Sequence, residues 1–153
     1  MPKISVIIPV YNAEKSLEQS ISSVISQTLN SWKLICVNDG STDSSLQILE
    51  DYAKRDNRIL IISKENGGPA SARALAFSMV ESPYTMTLDA DDRLTLNFLE
   101  ECVNKAIKYN ADSIAPNFLI EFPNGTYMDW NESYKWGELD CISGLDAFKR
   151  TLI

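Results

Sequence analysis

Four short runs of β-branched and aliphatic residues punctuate this chain: Ile4–Pro9 (ISVIIP), Leu34–Val37 (LICV), Ile59–Ile62 (ILII) and Thr85–Leu88 (TMTL). Ile4–Pro9, apolar on both faces, and Leu34–Val37 read as buried strands of a parallel sheet, Ile59–Ile62 as a third strand and Thr85–Leu88 as a short β-prone one. Helical spacing fills the intervals between them. Leu17, Ile21, Val24 and Ile25 mark one helix, and Ile48, Leu49, Tyr52 and Ala53 a second. Residues 70–80 form a third, rich in alanine. A fourth runs from about residue 95 to 109, with Leu99, Cys102, Val103, Ala106 and Ile107 on one face. Strand and helix alternating through short connections force parallel pairing and a sheet covered on both sides. The expected fold is a doubly wound, mostly parallel α/β layer structure of the Rossmann-like kind.

Each strand ends in polar punctuation. Pro9 cannot continue a ladder and is expected to stop the first strand, with Asn12 as N-cap of the helix that follows. Asn38-Asp39-Gly40-Ser41-Thr42-Asp43 consists of turn and cap residues throughout. Lys64-Glu65-Asn66-Gly67-Gly68-Pro69 follows the third strand. Its glycines permit close backbone approach, and Pro69 suits a first helical turn. Asp89, Asp91 and Asp92 follow the fourth. Doubly wound sheets bind ligands outside the C-terminal ends of their strands, so these clusters should converge on one crevice.

The clusters carry distinct chemistry. Three carboxylates at a strand end repel one another unless a cation sits among them. Oxygen ligands of that kind suit Mg²⁺ or Mn²⁺, which share their coordination with phosphates and water. The competing reading of Asp89–Asp92 is an acidic loop capping the next helix. Asp39, as an ionised carboxylate, can accept a hydrogen bond from a pyrimidine imide N–H, or can serve as a turn acid. Arg73 sits on the first turn of the third helix, where guanidinium and helix dipole both favour phosphate oxygens. Its competing role is that of a solvated surface arginine.

Composition removes several classes of function. The 153 residues include 44% hydrophobic and 23% charged residues, values of a globular domain. A net charge of −7, from 14 basic and 21 acidic residues, opposes nucleic acid as a partner and limits membrane contact to peripheral association. Histidine is absent, which removes Ser-His and Cys-His catalysis. Cys36, Cys102 and Cys141 are far apart and odd in number, so neither a zinc site nor a disulfide framework is expected. No charged-then-apolar leader or membrane-length apolar run occurs in these residues, and the expected location is cytoplasmic.

Beyond residue 112 the pattern changes. Asn124-Gly125, between residues 113–122 and 126–130, signals a β-hairpin or mixed sheet edge. Ser143-Gly144 leads into a helical pattern still running at Ile153. Domains seldom stop on an apolar, uncapped turn, so the single domain 1–153 is expected to be cut short. Residues 1–110 would be the half that carries the crevice and 111–153 the start of a second half.

Taken together, the clusters resemble those of the family 2 glycosyltransferases, inverting enzymes with a GT-A fold. ISVIIPVYNAEKSLEQSISSVISQT looks like that family's first strand and helix, with Pro9, Tyr11 and Asn12 in place. NDGSTDSS looks like its uracil-binding segment, with Asp39 as the acid that contacts the base. NGGPASAR resembles its N-x-G-x-x-x-A-R element, which aligns Asn66 and Gly68 and puts Arg73 in the diphosphate-contacting place. LDADD matches its D-x-D motif: Asp89 toward the ribose, Ala90 between, Asp91 as ligand of Mn²⁺ or Mg²⁺. Ala74 departs from the family's usual asparagine. The resemblance implies transfer of a sugar from a nucleotide-sugar donor, UDP preferred over dTDP or GDP, to a saccharide or lipid-linked acceptor. Bacterial surface-polysaccharide assembly, beside the inner membrane face, is the setting it implies.

No acid after Asp92 matches the family's general base. Glu132, Glu138 and Asp140 fall in a plausible region but read more readily as solvated loop charges, and the base is expected beyond Ile153. A nucleotide-sugar-binding piece without transferase activity is therefore the alternative. A nucleotidyltransferase would want a glycine-rich basic loop where this chain has PVYNAEK. A protein-interaction domain would leave the clustering unexplained.

Overall fold

The computed structural model describes residues 1–117 and 119–129. The chain divides into two compact units, Met1–Asn104 and Lys105–Ile153.

Unit one is built on a four-stranded sheet in the order β3-β2-β1-β4, every pair parallel. The strands are β1 (Ile4–Val10), β2 (Trp32–Asp39), β3 (Ile59–Lys64) and β4 (Tyr84–Thr87). Helices α1 (Leu17–Ile25), α2 (Ser45–Ala53) and α3 (Pro69–Phe77) connect them, and α4 (Phe98–Tyr109) follows. The doubly wound α/β architecture expected from the alternation is the one observed.

Side-chain alternation along β1 and β2 splits the core into two layers. Val6, Ile8, Val10, Leu34 and Cys36 pack with Leu17, Ile21 and Val24 of α1, Leu49 of α2, and Leu99 and Val103 of α4. On the opposite face Ile7, Ile35 and Val37 meet Ala72 and Ala76 of α3. The small alanines let α3 lie close across β1 and β2. This burial is the main stabilising term, about 25 cal/mol for each Å² of apolar surface removed from water.

Three local expectations are corrected. Pro9 does not stop β1 but pairs with Val37 inside it. The Ile7 carbonyl accepts the Leu88 N–H at 2.8 Å, so Ile7 faces β4, and Pro9, two residues on, faces the same side. The β4 ladder has already ended at Thr87, so the N–H that proline lacks has no partner to lose. Likewise Asn38 and Asp39 are strand residues, buried and paired with Val10 and Lys64, rather than members of a turn. Asn12 does not cap α1, whose N-cap is Ser16. Asn12 instead adopts a left-handed φ of 49° and accepts the Thr42 N–H at 2.8 Å.

Helix α4 begins at Phe98, three residues later than expected, because Thr95 and Asn97 supply the carbonyls of its first turn. Leu99 and Val103 are buried, whereas Ile107 is exposed. In unit two, β5 (Leu119–Glu121) and β6 (Tyr127–Asp129) form the expected antiparallel hairpin. Its turn holds Gly125 at φ 78°. Cys141, the candidate acids Glu132, Glu138 and Asp140, and the helix expected after Gly144 lie outside the described residues.

Candidate functional site

Parallel pairing throughout puts the C-terminal ends of all four strands on one edge of the sheet. The clusters that follow them lie along this edge. Loops distant in sequence are laced together there by side chains.

Asp39 ends β2 beside Lys64, the last residue of β3. Lys64 Nζ donates to Asp39 Oδ1 at 2.5 Å. The backbone N–H groups of Gly67 and Gly68 donate to the same carboxylate at 3.0 and 2.7 Å. The Lys64 bond, joined by the two amides, holds the Asp39 carboxyl below its ordinary value despite burial. Only 3% of the Asp39 side chain is exposed, against 22% for Lys64. Two glycines make this packing feasible. A Cβ on Gly40 would stand 2.9 Å from the Asn66 nitrogen, and one on Gly67 would stand 2.8 Å from Lys64 Nζ. Asn66 is thus the residue against which the β2 loop turns.

The helix that follows begins cleanly. Gly68, at φ 84°, is the N-cap of α3, and Pro69 opens the first turn as expected. One turn on, Arg73 Nη2 donates to Asp89 Oδ1 at 2.6 Å and so ties α3 to the loop after β4. The diphosphate-facing and ribose-facing positions expected from the resemblance are therefore in direct contact. Both partners remain open to solvent, 33% and 53% exposed.

The acidic loop is anchored from beneath. Ser20 of α1 is fully buried, and its hydroxyl lies 2.9 Å from the Ala90 carbonyl and 2.6 Å from that of Asp92. Ser23 Oγ accepts the Leu94 N–H at 3.1 Å. Ala90 packs against the core while Asp89 and Asp91 face outward. Desolvation first, and then the neighbouring Asp91 and Asp89 charges, raise the Asp92 carboxyl above its usual range.

The expectation that one cation sits amid three carboxylates is not met. Among the described residues no three acids converge on a common point. Asp89 is engaged by Arg73, and the Asp92 backbone folds back on Asp89 through an N–H to carbonyl bond of 3.0 Å. Asp91 is exposed and makes no side-chain hydrogen bond or ion pair among the described residues. Carboxylates that do not converge fit a hard divalent ion that takes most of its ligands from phosphate and water, and do not fit an all-protein cage.

Tyr11 is 53% exposed just past β1. Beside it, residues 12–14 and 41–45 exchange hydrogen bonds in both directions. The Asn12 N–H goes to Ser41 Oγ, that of Glu14 to Asp43 Oδ2, and that of Ser44 to Glu14 Oε2. A cavity of about 380 Å³ lies against this seam, lined by Asn12, Lys15 and Asp43 among others. Of the residues given a binding role from sequence, Asn12 alone lines it.

Lys64 and Asp43 fall in clusters expected at the crevice but have no role of their own in the sequence reading, and Ser20 and Glu14 are not singled out there at all. Lys64 carried a signal, a lysine closing a strand beside a buried acid. Ser20 carried none, since serine on a helix face is ordinary.

Residues 5–151 match the Glycosyl transferase family 2 domain. The chain belongs to that family. The glycosyltransferase GlyA of Streptococcus pneumoniae is 36% identical over 131 residues, which is 86% of this chain and 18% of that protein. The poly(ribitol-phosphate) beta-glucosyltransferase of Bacillus spizizenii is 38% identical over 94 residues, 59% of this chain and 15% of that one. Among solved structures, S. aureus TarS 1–349 in complex with UDP-GlcNAc superposes with a TM-score of 0.68 at 30% identity, covering 72% of this chain and 32% of that one. The mannosyltransferase PcManGT of Pyrobaculum calidifontis, in complex with GDP-Man and Mn²⁺, gives 0.64 at 20% identity, covering 80% and 36%, a likeness of fold. This family 2 chain spans only part of the length of such relatives, 15% of one and 46% of another. No described helix is long and apolar enough to cross a membrane.

Proposed function

We propose that residues 1–110 hold the nucleotide of a sugar donor for an inverting, metal-dependent glycosyltransferase, with UDP-sugar as donor and an acceptor hydroxyl as recipient. The observation that carries this reading is the Arg73–Asp89 contact on the same sheet edge as the Asp39 carboxylate. It gathers an anion binder, a hydroxyl acceptor and an imide acceptor where doubly wound sheets take their ligands. Similarity to a protein solved with UDP-GlcNAc supports uridine as the nucleoside.

Each residue then has a task. Asp39 accepts the uracil N–H, and Asp89 accepts from ribose hydroxyls once Arg73 leaves it. Arg73 turns its planar fork to the diphosphate, a match that lysine would not reproduce. Asp91 holds Mn²⁺ or Mg²⁺, and Pro9, Tyr11, Asn12, Asn66, Gly68 and Ala90 shape the walls. The bound ion supplies Lewis-acid neutralisation of the departing diphosphate. Inversion needs one carboxylate to deprotonate the acceptor in a direct displacement, and the resemblance identifies none after Asp92. That gap favours a second reading for this chain taken alone: it binds donor and transfers nothing. The resemblance extends to a cytoplasmic setting at the inner membrane face, with saccharide or lipid-linked acceptors. The glucosyltransferase likeness supports a polymer acceptor.

Calorimetry tests the donor reading. UDP should bind more tightly with Mn²⁺ than with EDTA, and Asp91→Ala should abolish the difference. Equal affinity in both buffers would end the metal-dependent part. Release of sugar from UDP-sugar by the chain itself would overturn the binding-only reading.

A further inference from the structure

Lys64 is absent from every role assigned above, yet its ammonium is the nearest charge to the carboxylate meant for the base. The pair still has hydrogen-bonding capacity to offer a ligand. Asp39 Oδ1 accepts from Lys64 Nζ and Gly67 N; Oδ2 accepts from Gly68 N and, at a longer 3.2 Å, shares the Gly67 N–H. A carboxylate has about four acceptor directions, and the fourth, on Oδ2, is held only by the longer contact of an N–H that Oδ1 already accepts at 3.0 Å, so a ligand N–H can take that place. Lys64 spends one N–H on Asp39 and one on the Glu65 carbonyl at 2.5 Å, and has three in all, so one N–H stays open. The pair therefore presents one acceptor beside one donor.

That pattern bears on the uracil edge, and the inference rests on the donor reading given above. Uracil offers an imide N–H flanked by two carbonyl oxygens. A carboxylate alone would accept the N–H while its own oxygens faced those carbonyls, acceptor against acceptor. An ammonium at its side converts that repulsion into a second hydrogen bond. The greater exposure of Lys64 sets the donor at the lip and the acceptor deeper in. The lowered carboxyl of Asp39 keeps it an acceptor at neutral pH.

We infer that Lys64 is a base-reading residue of this site, donating to a uracil carbonyl next to the imide N–H that Asp39 accepts. A purely structural lysine would hold Asp39 in place and never touch the nucleotide.

The two roles separate in a ligand-by-variant cycle. Calorimetry in Mn²⁺ would compare UDP with its 2-thio and 4-thio analogues, whose sulfur is a weak acceptor, on the 153-residue chain and on Lys64→Met. In the unaltered chain one analogue should bind about tenfold more weakly than UDP, the scale of one charge-assisted hydrogen bond. In Lys64→Met, UDP should fall to the level of that analogue and the gap should close. A general loosening of Asp39 would weaken all three ligands alike and preserve the gap, which overturns the inference. So would two analogues that bind the unaltered chain as UDP does. Failure of the unaltered chain to bind any of the three overturns the donor reading as well, whereas UDP binding with a gap indifferent to Lys64 overturns the inference alone.

Discussion

Arg73 and Asp89 satisfy one another across the gap between α3 and the end of β4, at 2.6 Å. A diphosphate and a ribose would have to part them. The pair is half in solvent, so its own contribution to folding is small, about 0–1 kcal/mol. Arg73→Ala should therefore leave thermal unfolding nearly unchanged while lowering UDP affinity about tenfold or more, as loss of a charged phosphate contact does. Paired calorimetry and melting curves would show it. A large fall in melting temperature with unchanged affinity would make Arg73 a structural residue.

Acid should act on the molecule through Asp39. Its carboxyl lies below the usual 3.8 in the folded state, chiefly through the Lys64 hydrogen bond. The folded state thus binds this proton less readily than the unfolded chain, and stability rises with pH across that interval. The contribution is fully present above about pH 4, the unfolded value, and is lost as pH falls through the lowered folded value. Asp39→Asn should be destabilised at pH 7, and its deficit against the unaltered protein should shrink on acidification. Urea unfolding between neutral and acid pH measures both curves; a constant difference would contradict the assignment.

Much of this is legible in the sequence. Strand runs and helical spacing specify a parallel sheet because only burial on both faces tolerates ISVIIP or LICV. The edge location of Asp39, Arg73, Asp89 and Asp91 followed from that topology. Less legible were features that depend on register. Asn38 and Asp39 have the composition of a turn, yet pairing with Val10 and Lys64 keeps them in the ladder. Pro9 looks like a strand terminator until the shortness of β4 is known. The like charges of Asp89, Asp91 and Asp92 suggested a shared cation, but one of them is neutralised by an arginine sixteen positions away in sequence. No periodicity encodes that distance.

Close approach of the β2 and β3 loops gives a backbone prediction. Gly40 has φ 72°, and an added Cβ would collide with the Asn66 nitrogen at 2.9 Å. Gly40→Ala meets strain and collision together, so a loss of at least about 1 kcal/mol is expected. UDP affinity should fall with it, because Asp39, Gly67 and Gly68 share the displaced loops. Equilibrium denaturation reads the first effect and calorimetry the second. A variant as stable as the parent would show that the two loops part without cost.

Ser20 gives the last prediction, and it concerns the metal-side loop from below. One buried hydroxyl proton serves two carbonyls, those of Ala90 and Asp92, and these flank Asp91. Removing the hydroxyl leaves both carbonyls facing α1 without that donor, a cost of about 1–3 kcal/mol for a buried polar group left unsatisfied. Ser20→Ala should accordingly lower stability by that order. It should also weaken the Mn²⁺ enhancement of UDP binding, since the turn that presents Asp91 loses its tether to the helix. Affinity for UDP in EDTA should change little, because Asp39 and Arg73 are held by other elements. Ser20→Thr, which keeps the hydroxyl, should restore the enhancement if the fully buried site admits the extra methyl, and melting curves report whether it does. Loss of stability with an intact Mn²⁺ enhancement would separate the tether from the presentation of Asp91.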